Sequence, residues 1–453
     1  ARSCERYIPY LLFNNVETGK RKFNEEYLHF LNILILMLFP AINFIAVIFK
    51  FNASTAFVYY IFALISFIIV LMRFNYAEAG AYKRKIDQPI KLALIFLGLF
   101  LVWAVISTFF ATDKKLALFD YAERGEGLCM YFAYALIFVG AFNIRSQGFK
   151  NKLLFAFQIF AIAVCVFGLL DFASFQFGEK AFDWNFANPW SNPNHQAYFF
   201  AMVIPLSAVF MCFAKDKINK IVSIVSFTLC NFTLCLNNSF GGELSVLVTL
   251  ILFVILGLIK DKSIWKMLLL ALGIFLATNA LGYLVQVTCI KDAPTILQNY
   301  NEFLHDVVRV FKYIFTGNAG DSGLATAGTG RWGLWYECFK NICSHPLFGI
   351  GINCQTVVNP NLASSRPHNE LLQFASTMGV PSLLFYISAL VCLCVAFARK
   401  FRTMNYKTFG IFFACVGYFV SSLFGVTLPY TFVYHIVFIG LLASSLNVQD
   451  DVS

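Results

Sequence analysis

Residues 329–373 read TGRWGLWYECFKNICSHPLFGIGINCQTVVNPNLASSRPHNELLQ and belong to the longest stretch of the chain outside its apolar segments. This stretch carries two arginines and two histidines, Arg331, His345, Arg366 and His368. Nearly everything around it is apolar, so the chain divides into membrane-like segments and one large polar loop. Ionisable groups beside apolar segments are costly and usually functional. The loop is therefore where we expect recognition or chemistry.

The composition excludes an ordinary soluble domain. The 453 residues are 59% hydrophobic and 13% charged, whereas soluble domains carry about a quarter charged residues. The net charge of +10 would suit a nucleic-acid binder, but lysines and arginines cluster in short segments between apolar runs. In such segments they set membrane topology. We therefore expect membrane lipids around the protein and no nucleic-acid partner.

Apolar runs long enough to cross about 30 Å of hydrocarbon recur along the whole chain. They fall near 28–49, 54–72, 90–111, 127–144, 153–177, 197–214, 220–236, 243–259, 265–289, 371–398, 408–427 and 431–446. They predict an all-α polytopic membrane protein with about twelve transmembrane helices. Helices 1–9 would occupy residues 1–290, a large external loop residues 291–370, and helices 10–12 residues 371–453.

Basic residues assign the two sides of the membrane. They concentrate in every second connection, at 83–85, 145–152, 215–220, 260–266 and 399–407, and in the N-terminal segment Lys20 to Lys22. By the positive-inside rule these segments are cytoplasmic, so both termini are predicted to be cytoplasmic. The first apolar run follows a basic segment and is long enough to span, so we expect it to be a transmembrane helix and no removable signal peptide.

The opposite connections are predicted to face the periplasm or the cell exterior, and they carry polar residues that a plain linker would not need. Arg124 and Glu126 lie in AERGEGL, Asn194 and His195 in SNPNHQA, and Glu243 follows NNSFGG. Ionisable groups at the membrane boundary are costly and usually functional. The function is therefore expected on the outer face, away from ATP and nucleotide sugars.

Two amphipathic helices are predicted inside the large loop. In the first, over 295–315, His305, Arg309 and Lys312 form one polar stripe, which suits either a helix lying on the membrane surface or a solvated face. Arg331 opens the second. It is followed at helical spacing by Trp332, Trp335, Phe339 and Ile342, a pattern that favours packing over a platform for sugars.

His368 is the sharpest candidate for catalysis, since a neutral imidazole can take a proton from a hydroxyl near pH 7. The alternative is an ordinary loop histidine. Arginine binds a diphosphate through two parallel hydrogen bonds and stays charged when partly desolvated. The candidates for holding such an anionic leaving group are Arg331, Arg366, Arg309 and Arg124. The outer connections contain no paired aspartates, so we expect catalysis without a metal or cofactor.

Three further polar residues keep both a structural and a functional interpretation. Asn194 and His195 lie in a turn sequence that precedes an apolar run, where they could shape the turn or contact a pyrophosphate or sugar. Glu243 could act as a carboxylate at a helix N-terminus or pair with an external arginine.

The order of these residues resembles a known family. Arg331, Trp335, His345-Pro346-Leu347-x-Gly349-x-Gly351, His368-Asn369-x-x-Leu372-Gln373 and Gly379 are similar to the signature of the O-antigen ligase and polymerase superfamily. The runs Arg124-x-Glu126-Gly127-Leu128 and Asn192-Pro193-Asn194-His195 resemble its earlier external motifs. The specific motifs lie within about 124–380.

The resemblance implies a glycosyltransferase of GT-C-type architecture in the bacterial cytoplasmic membrane, with a periplasmic or extracellular active site. Its members transfer a glycan from undecaprenyl pyrophosphate to a hydroxyl of lipid A core, of another glycan or of a protein. Carried over, His368 is the general base and Arg331 a pyrophosphate clamp, with Arg124 a further candidate. Many members have Ser-Arg-Gly where this chain has Ser239-Phe240-Gly241. Arg309 or Arg366 could replace that arginine.

Other functions stay open at this point. A ligase and a polymerase of the same superfamily would share these residues, so the sequence does not choose between them. Twelve spans with both termini inside are also common in flippases and secondary transporters, and a sensor or structural membrane protein is a further class. Transporters place ionisable residues near the bilayer midplane, whereas the polar groups here gather at the outer face.

Overall fold

The computed structural model describes residues 13–14, 22–40, 55–76, 86–120, 125–176, 192–289, 295–316, 331–360, 362, 364, 366–426 and 428–447. Within these ranges the chain is almost entirely helical. The strands there are β1 (Phe13–Asn14) and β2 (Lys22–Phe23), which pair antiparallel. Arg124 lies outside the described residues, as does the second half of the predicted first span.

The described ranges contain seventeen α-helices. The first nine are α1 (Glu25–Leu38), α2 (Thr55–Tyr76), α3 (Gln88–Phe109), α4 (Lys114–Phe119), α5 (Leu128–Phe142), α6 (Gln147–Gln176), α7 (Pro193–Phe213), α8 (Lys217–Asn237) and α9 (Phe240–Lys260). A short 3₁₀ turn, Lys262–Ile264, follows. The others are α10 (Trp265–Cys289), α11 (Ile296–Thr316), α12 (Arg331–Ser344), α13 (Gln355–Val358), α14 (Glu370–Met378), α15 (Val380–Lys400), α16 (Tyr406–Ser422) and α17 (Pro429–Leu446).

Eight described helices are long and apolar enough to cross a membrane, and Phe57–Met72 and Leu128–Phe142 are shorter apolar helices. A helix satisfies its own backbone hydrogen bonds, which is what a bilayer requires. The prediction of an all-α polytopic protein is therefore confirmed at the level of class. The helix predicted over 295–315 is also confirmed, as α11.

The bundle is built around α7. Of the 18 most apolar consecutive residues in this helix, 94% are buried. In the peripheral segment Lys262–Cys289 the corresponding share is 11%. Helices α8, α9 and α16 pack directly on α7. The contact with α16 is so close that it requires a glycine at Gly417, because any side chain there would overlap the carbonyl oxygen of Ala201. Pro205 has no N–H to offer that carbonyl one turn back in α7, so the glycine approaches a carbonyl that the helix leaves free.

The predicted cytoplasmic connections meet at one end of the bundle. Lys400, at the end of α15, pairs with Asp87 before α3 at 2.9 Å. Asn405 before α16 donates from Nδ2 to Oε1 of Gln147 at the start of α6, over 3.2 Å. We refer to this end as the basic end.

The first and last described helices are also tied to the basic end. Glu26 of α1 accepts a hydrogen bond from the backbone N–H of Arg145 at 2.8 Å. Asn447, directly after α17, accepts one from the backbone N–H of Asp87 at 2.9 Å. The start of α1 and the end of α17 therefore lie on the same side of the bundle.

The predicted single span over 371–398 is wrong. The chain forms the short helix α14 and the long helix α15, separated at Gly379, whose φ is +85°. Residues 345–351 dock into this break. There the backbone N–H groups of Ile350 and Gly351 donate to the carbonyls of Ser376 and Thr377, at 3.1 and 2.9 Å. The docked segment thus satisfies carbonyls at the end of α14 that would otherwise lack partners.

Candidate functional site

Helix α11 separates a cavity from the outside of the bundle. One face, with Phe303, Asp306 and Val307, lines the cavity. The opposite face is apolar and exposed, and consists of Leu297, Leu304, Val308 and Phe315. His305 and Lys312 lie exposed between the two faces. Such an arrangement suits a helix that lies on the membrane surface, which is one of the two interpretations that the sequence left open.

The cavity has a volume of about 530 Å³ and lies at the end of the bundle opposite to the basic end. It is lined by Asn194, Asn238, Phe240, Gly241, Asn299, Glu302, Phe303, Asp306, Val307, Val310, Phe311, Arg331, Trp332, Trp335 and Phe424. Apolar and aromatic walls with a few polar groups are typical of ligand sites. The two tryptophans, which the sequence assigned to packing, therefore face the cavity.

Arg331 begins α12 and brings a guanidinium to the cavity wall. Burial lowers its pKa, and the nearby Tyr198 phenol partly opposes that shift. Arginine nevertheless stays charged at any physiological pH. A partly desolvated cation beside an open cavity favours an anionic ligand.

Asparagines form a hydrogen-bonded rim on the far side of the cavity. Ser239 donates from Oγ to Oδ1 of Asn194 over 2.7 Å, and Asn299 of α11 donates from Nδ2 to Oδ1 of Asn238 over 2.8 Å. Asn238 ends α8 in the left-handed region, with φ +53°. These bonds tie α7, α8 and α11 together at the cavity.

Phe240 and Arg309 contribute differently from what the family pattern implies. Phe240, at the position of the family arginine, packs its ring against Tyr300 and Phe303 of α11 at centroid distances of 5.0 and 4.8 Å. Arg309 pairs with Asp306 at 3.1 Å, and Asp306 lines the cavity. A contact between Arg309 and a pyrophosphate stays a prediction, and it would compete with this carboxylate.

His368 lies in a segment held by its neighbours on both sides. Trp335, one helical turn after Arg331, donates from Nε1 to the carbonyl of Pro367 over 2.8 Å. Asn369 caps α14 by accepting from the N–H of Leu372, and its Nδ2 donates to the carbonyl of Leu423 over 3.1 Å. His368 between them is half-buried and left-handed, with φ +54°. Since such a conformation is uncommon for a non-glycine residue, its surroundings must hold it there.

Arg366 is buried among carboxylates. Its guanidinium pairs with Glu126, and Asp120 lies 3.5 Å away. Burial alone would lower the pKa of Arg366, but the two carboxylates outweigh it and raise that pKa above its usual value. The predicted contact of Arg366 with a pyrophosphate does not fit this placement, because two carboxylates already hold a guanidinium that is only 1% exposed.

His195 and Glu243 lie near the cavity but outside its lining. His195, on the first turn of α7, has its Nδ1 at 3.2 Å from the hydroxyl of Tyr430. Glu243, on the first turn of α9, is buried, and its Oε1 has no hydrogen-bond partner within the described residues. Substrate contacts of both side chains stay predictions.

The structure thus brings Arg331 and Asn194 to one cavity, and it links the residue before His368 to Trp335 in the wall of that cavity. Sequence reasoning missed two partners of the His368 segment, Asp120 and Leu423. Trp335 carried a signal as part of the family signature, and Glu126 as an acidic residue in an external motif, but neither was linked to this segment. No group of three His, Cys, Asp or Glu residues in the described part of the chain is arranged to hold a metal ion.

The fold and the site define a polytopic helical membrane protein with a mainly apolar cavity, carrying a few polar groups, at one end of its bundle. Residues 224–387 match the family model described as O-antigen ligase. The resemblance to the O-antigen ligase and polymerase superfamily is thereby confirmed. The match supports a membrane enzyme of the glycosyl-transfer type, with a lipid-linked glycan and an acceptor as its partners in general. It includes Arg331 and His368, whereas Arg124, Asn194 and His195 precede it. No curated protein matches the chain.

Proposed function

We propose that the protein transfers a glycan from undecaprenyl pyrophosphate to an acceptor hydroxyl, with His368 as general base and Arg331 as the pyrophosphate clamp. The observation that carries this proposal is the link through Trp335. Trp335 lines the cavity together with Arg331, and it also binds the carbonyl directly before His368. Trp335 would therefore lie between the donor pyrophosphate bound at Arg331 and the acceptor hydroxyl bound at His368, and would bring the two substrates together.

The reaction needs a base and an anion site on opposite sides of one sugar carbon. The acceptor oxygen attacks the anomeric carbon, and its proton passes to the imidazole of His368. The bond from the anomeric carbon to the phosphate oxygen breaks, and its electron pair leaves with undecaprenyl pyrophosphate. Arg331 offers two parallel hydrogen bonds to that anion as its charge develops. A single displacement inverts the anomeric configuration.

The rest of the cavity suits the donor glycan. The asparagine rim offers hydrogen-bond donors and acceptors, and Trp332 offers an apolar ring face. Asn194, His195, Arg309 and Glu243 are further candidates for substrate contacts, as is Arg124 outside the described residues. The exposed apolar face of α11 would lie in the outer leaflet, where a polyprenyl chain reaches the cavity from the side.

We further infer the orientation and the architecture. The basic end faces the cytoplasm by the positive-inside rule, so the cavity faces the periplasm or cell exterior of a bacterial cytoplasmic membrane. Twelve crossings in a GT-C-type arrangement would place both termini in the cytoplasm. The acceptor is a glycan or a glycolipid, which corresponds to polymerase and ligase activity respectively.

Replacement of His368 tests the assigned base. We expect His368→Ala to lower glycan transfer by roughly 100-fold or more while expression and membrane insertion stay normal, since general bases contribute about 10²–10⁴-fold. The matched control is His345→Ala, which removes an exposed histidine of the same loop. Transfer at the wild-type rate by the purified His368→Ala protein would reject the proposed base.

A further inference from the structure

The ion cluster of Asp120, Glu126 and Arg366 joins two distant parts of the chain beside the candidate base. Glu126 and Arg366 are 240 positions apart, and both side chains are almost completely buried. Arg366 lies two positions before His368. The cluster therefore fixes one side of the His368 segment, as Asn369 fixes the other.

Glu126 is itself held on several sides. Its Oε1 accepts a hydrogen bond from the Tyr134 hydroxyl at 2.6 Å, and its carbonyl accepts one from Nδ2 of Asn353 at 3.0 Å. Its backbone N–H donates to Oδ2 of Asp120 at 3.1 Å. Asp120 and Asn353 both have left-handed backbones, with φ +47° and +59°. Glu126 is thus held through its backbone N–H, its carbonyl and its carboxylate, which fixes the position of the carboxylate beside Arg366.

Stability alone gives little reason for this cluster. A buried ion pair contributes little net stability, because desolvation of the charges offsets their attraction. What it does provide is a fixed distance and direction between two segments. Here the residue that is fixed is Arg366, two positions before His368. His368 is the residue whose backbone has to be held in a strained conformation.

We propose that Glu126, acting through Arg366, is a positioning residue that holds His368 in its left-handed conformation. This inference rests on the proposed role of His368 as general base. Glu126 does not touch the reacting atoms in this account. It sets the place from which the imidazole receives the proton.

Glu126→Gln is the variant that tests the proposal without dismantling the fold. The cluster holds two carboxylates and one guanidinium, so the substitution leaves Arg366 paired with Asp120 and no uncompensated charge. Arg366→Ala would leave two buried carboxylates without a cation, which is strongly destabilising. The matched control is Glu25→Gln, which removes a buried carboxylate 3.6 Å from His29 near the basic end.

Two measurements on purified full-length protein decide the matter. Hydrogen–deuterium exchange should become at least tenfold faster at the amides of residues 368–372 in Glu126→Gln and stay unchanged there in Glu25→Gln. The rate constant kcat, counted per site that binds the undecaprenyl-pyrophosphate glycan, should fall roughly 10- to 100-fold, since small misplacements of a catalytic group cost this much. The donor dissociation constant should change less than threefold, because Arg331 is untouched.

The outcomes separate this inference from the proposed function. Unchanged exchange at residues 368–372, or an unchanged kcat despite faster exchange, would overturn the positioning role of Glu126 and leave His368 as the proposed base. Wild-type transfer by His368→Ala would overturn the proposed base itself, whatever Glu126→Gln shows. A fall in donor affinity that accounts for the whole loss would place Glu126 in donor binding and also overturn the inference.

Discussion

At the scale of single residues, backbone strain concentrates at the candidate site. The non-glycine residues with positive φ in the described ranges are Asp120, Asn238, Asn353 and His368. Asn238 lines the cavity, Asp120 and Asn353 hold Glu126, and His368 is the candidate base. Asp, Asn and His tolerate this conformation better than other side chains. Strained residues of this kind cluster where a structure holds groups in place for function.

The sequence identified some of these residues and not others, for a physical reason. Arg331 and His368 could be proposed because a charged or titratable group beside apolar segments is informative on its own. The sequence makes Arg366 one of four candidates for holding a pyrophosphate, yet in the structure it binds Glu126 and Asp120. A guanidinium recognises a carboxylate and a phosphate through the same pair of hydrogen bonds, so one sequence cannot tell which anion it meets.

Arg331→Lys tests whether the clamp depends on arginine chemistry. We expect donor affinity about tenfold weaker at pH 7, because lysine cannot form two parallel hydrogen bonds. Burial disfavours the charged form of a lysine and lowers its pKa, so binding should weaken further between about pH 7 and about pH 9.5. The wild-type arginine stays charged over that range.

The measurement is equilibrium binding of an undecaprenyl-pyrophosphate glycan to both proteins across this pH range. Arg145→Lys, which changes an exposed arginine at the basic end, should bind like the wild type. An Arg331→Lys variant with wild-type affinity at every pH would show that the donor does not depend on this guanidinium.

At the scale of elements, the apolar runs located most helices, because a bilayer leaves the backbone few alternatives to a helix. The exception is the break at Gly379. The run over 371–398 is apolar overall but contains Gly379 and Pro381, and Pro381 lies in the first turn of α15. Residues 345–351, from an earlier part of the loop, dock at this break. The glycines of that segment are visible in the sequence as a motif. The carbonyls that accept from Ile350 and Gly351, those of Ser376 and Thr377, follow only from the tertiary structure.

Gly379→Ala tests the importance of this break. A side chain at Gly379 would overlap the carbonyl oxygen of Leu347, and φ there is +85°. We expect the apparent melting temperature of the purified protein to fall by about 5 °C or more, with loss of transfer. Gly273→Ala is the matched control, because a Cβ there meets no atom within 4 Å. It should change the melting temperature by less than about 2 °C. Equal effects of the two substitutions would contradict this account of the break.

At the scale of the whole molecule, the distribution of basic residues predicted which connections lie at the same end of the bundle. It did not predict which helix lies at the centre. The alternation of basic connections anticipated the end where Lys400, Asp87 and Asn447 meet. Hydropathy did not distinguish the central helix α7 from the peripheral α10, although 94% of the most apolar part of the first is buried and only 11% of that of the second. Lipid tails are as apolar as neighbouring helices, so helix packing in a membrane leaves little trace in hydropathy.

The most direct test of the central claim is a reconstitution of the purified protein in liposomes with a defined undecaprenyl-pyrophosphate glycan and an acceptor, without ATP. We predict one acceptor-linked glycan for each undecaprenyl pyrophosphate released, with the anomeric configuration inverted. Single chains on the acceptor would indicate a ligase, and a ladder of lengths a polymerase. Passage of the intact donor across the bilayer, with no cleavage of its glycosyl–phosphate bond, would contradict the account and indicate a transporter.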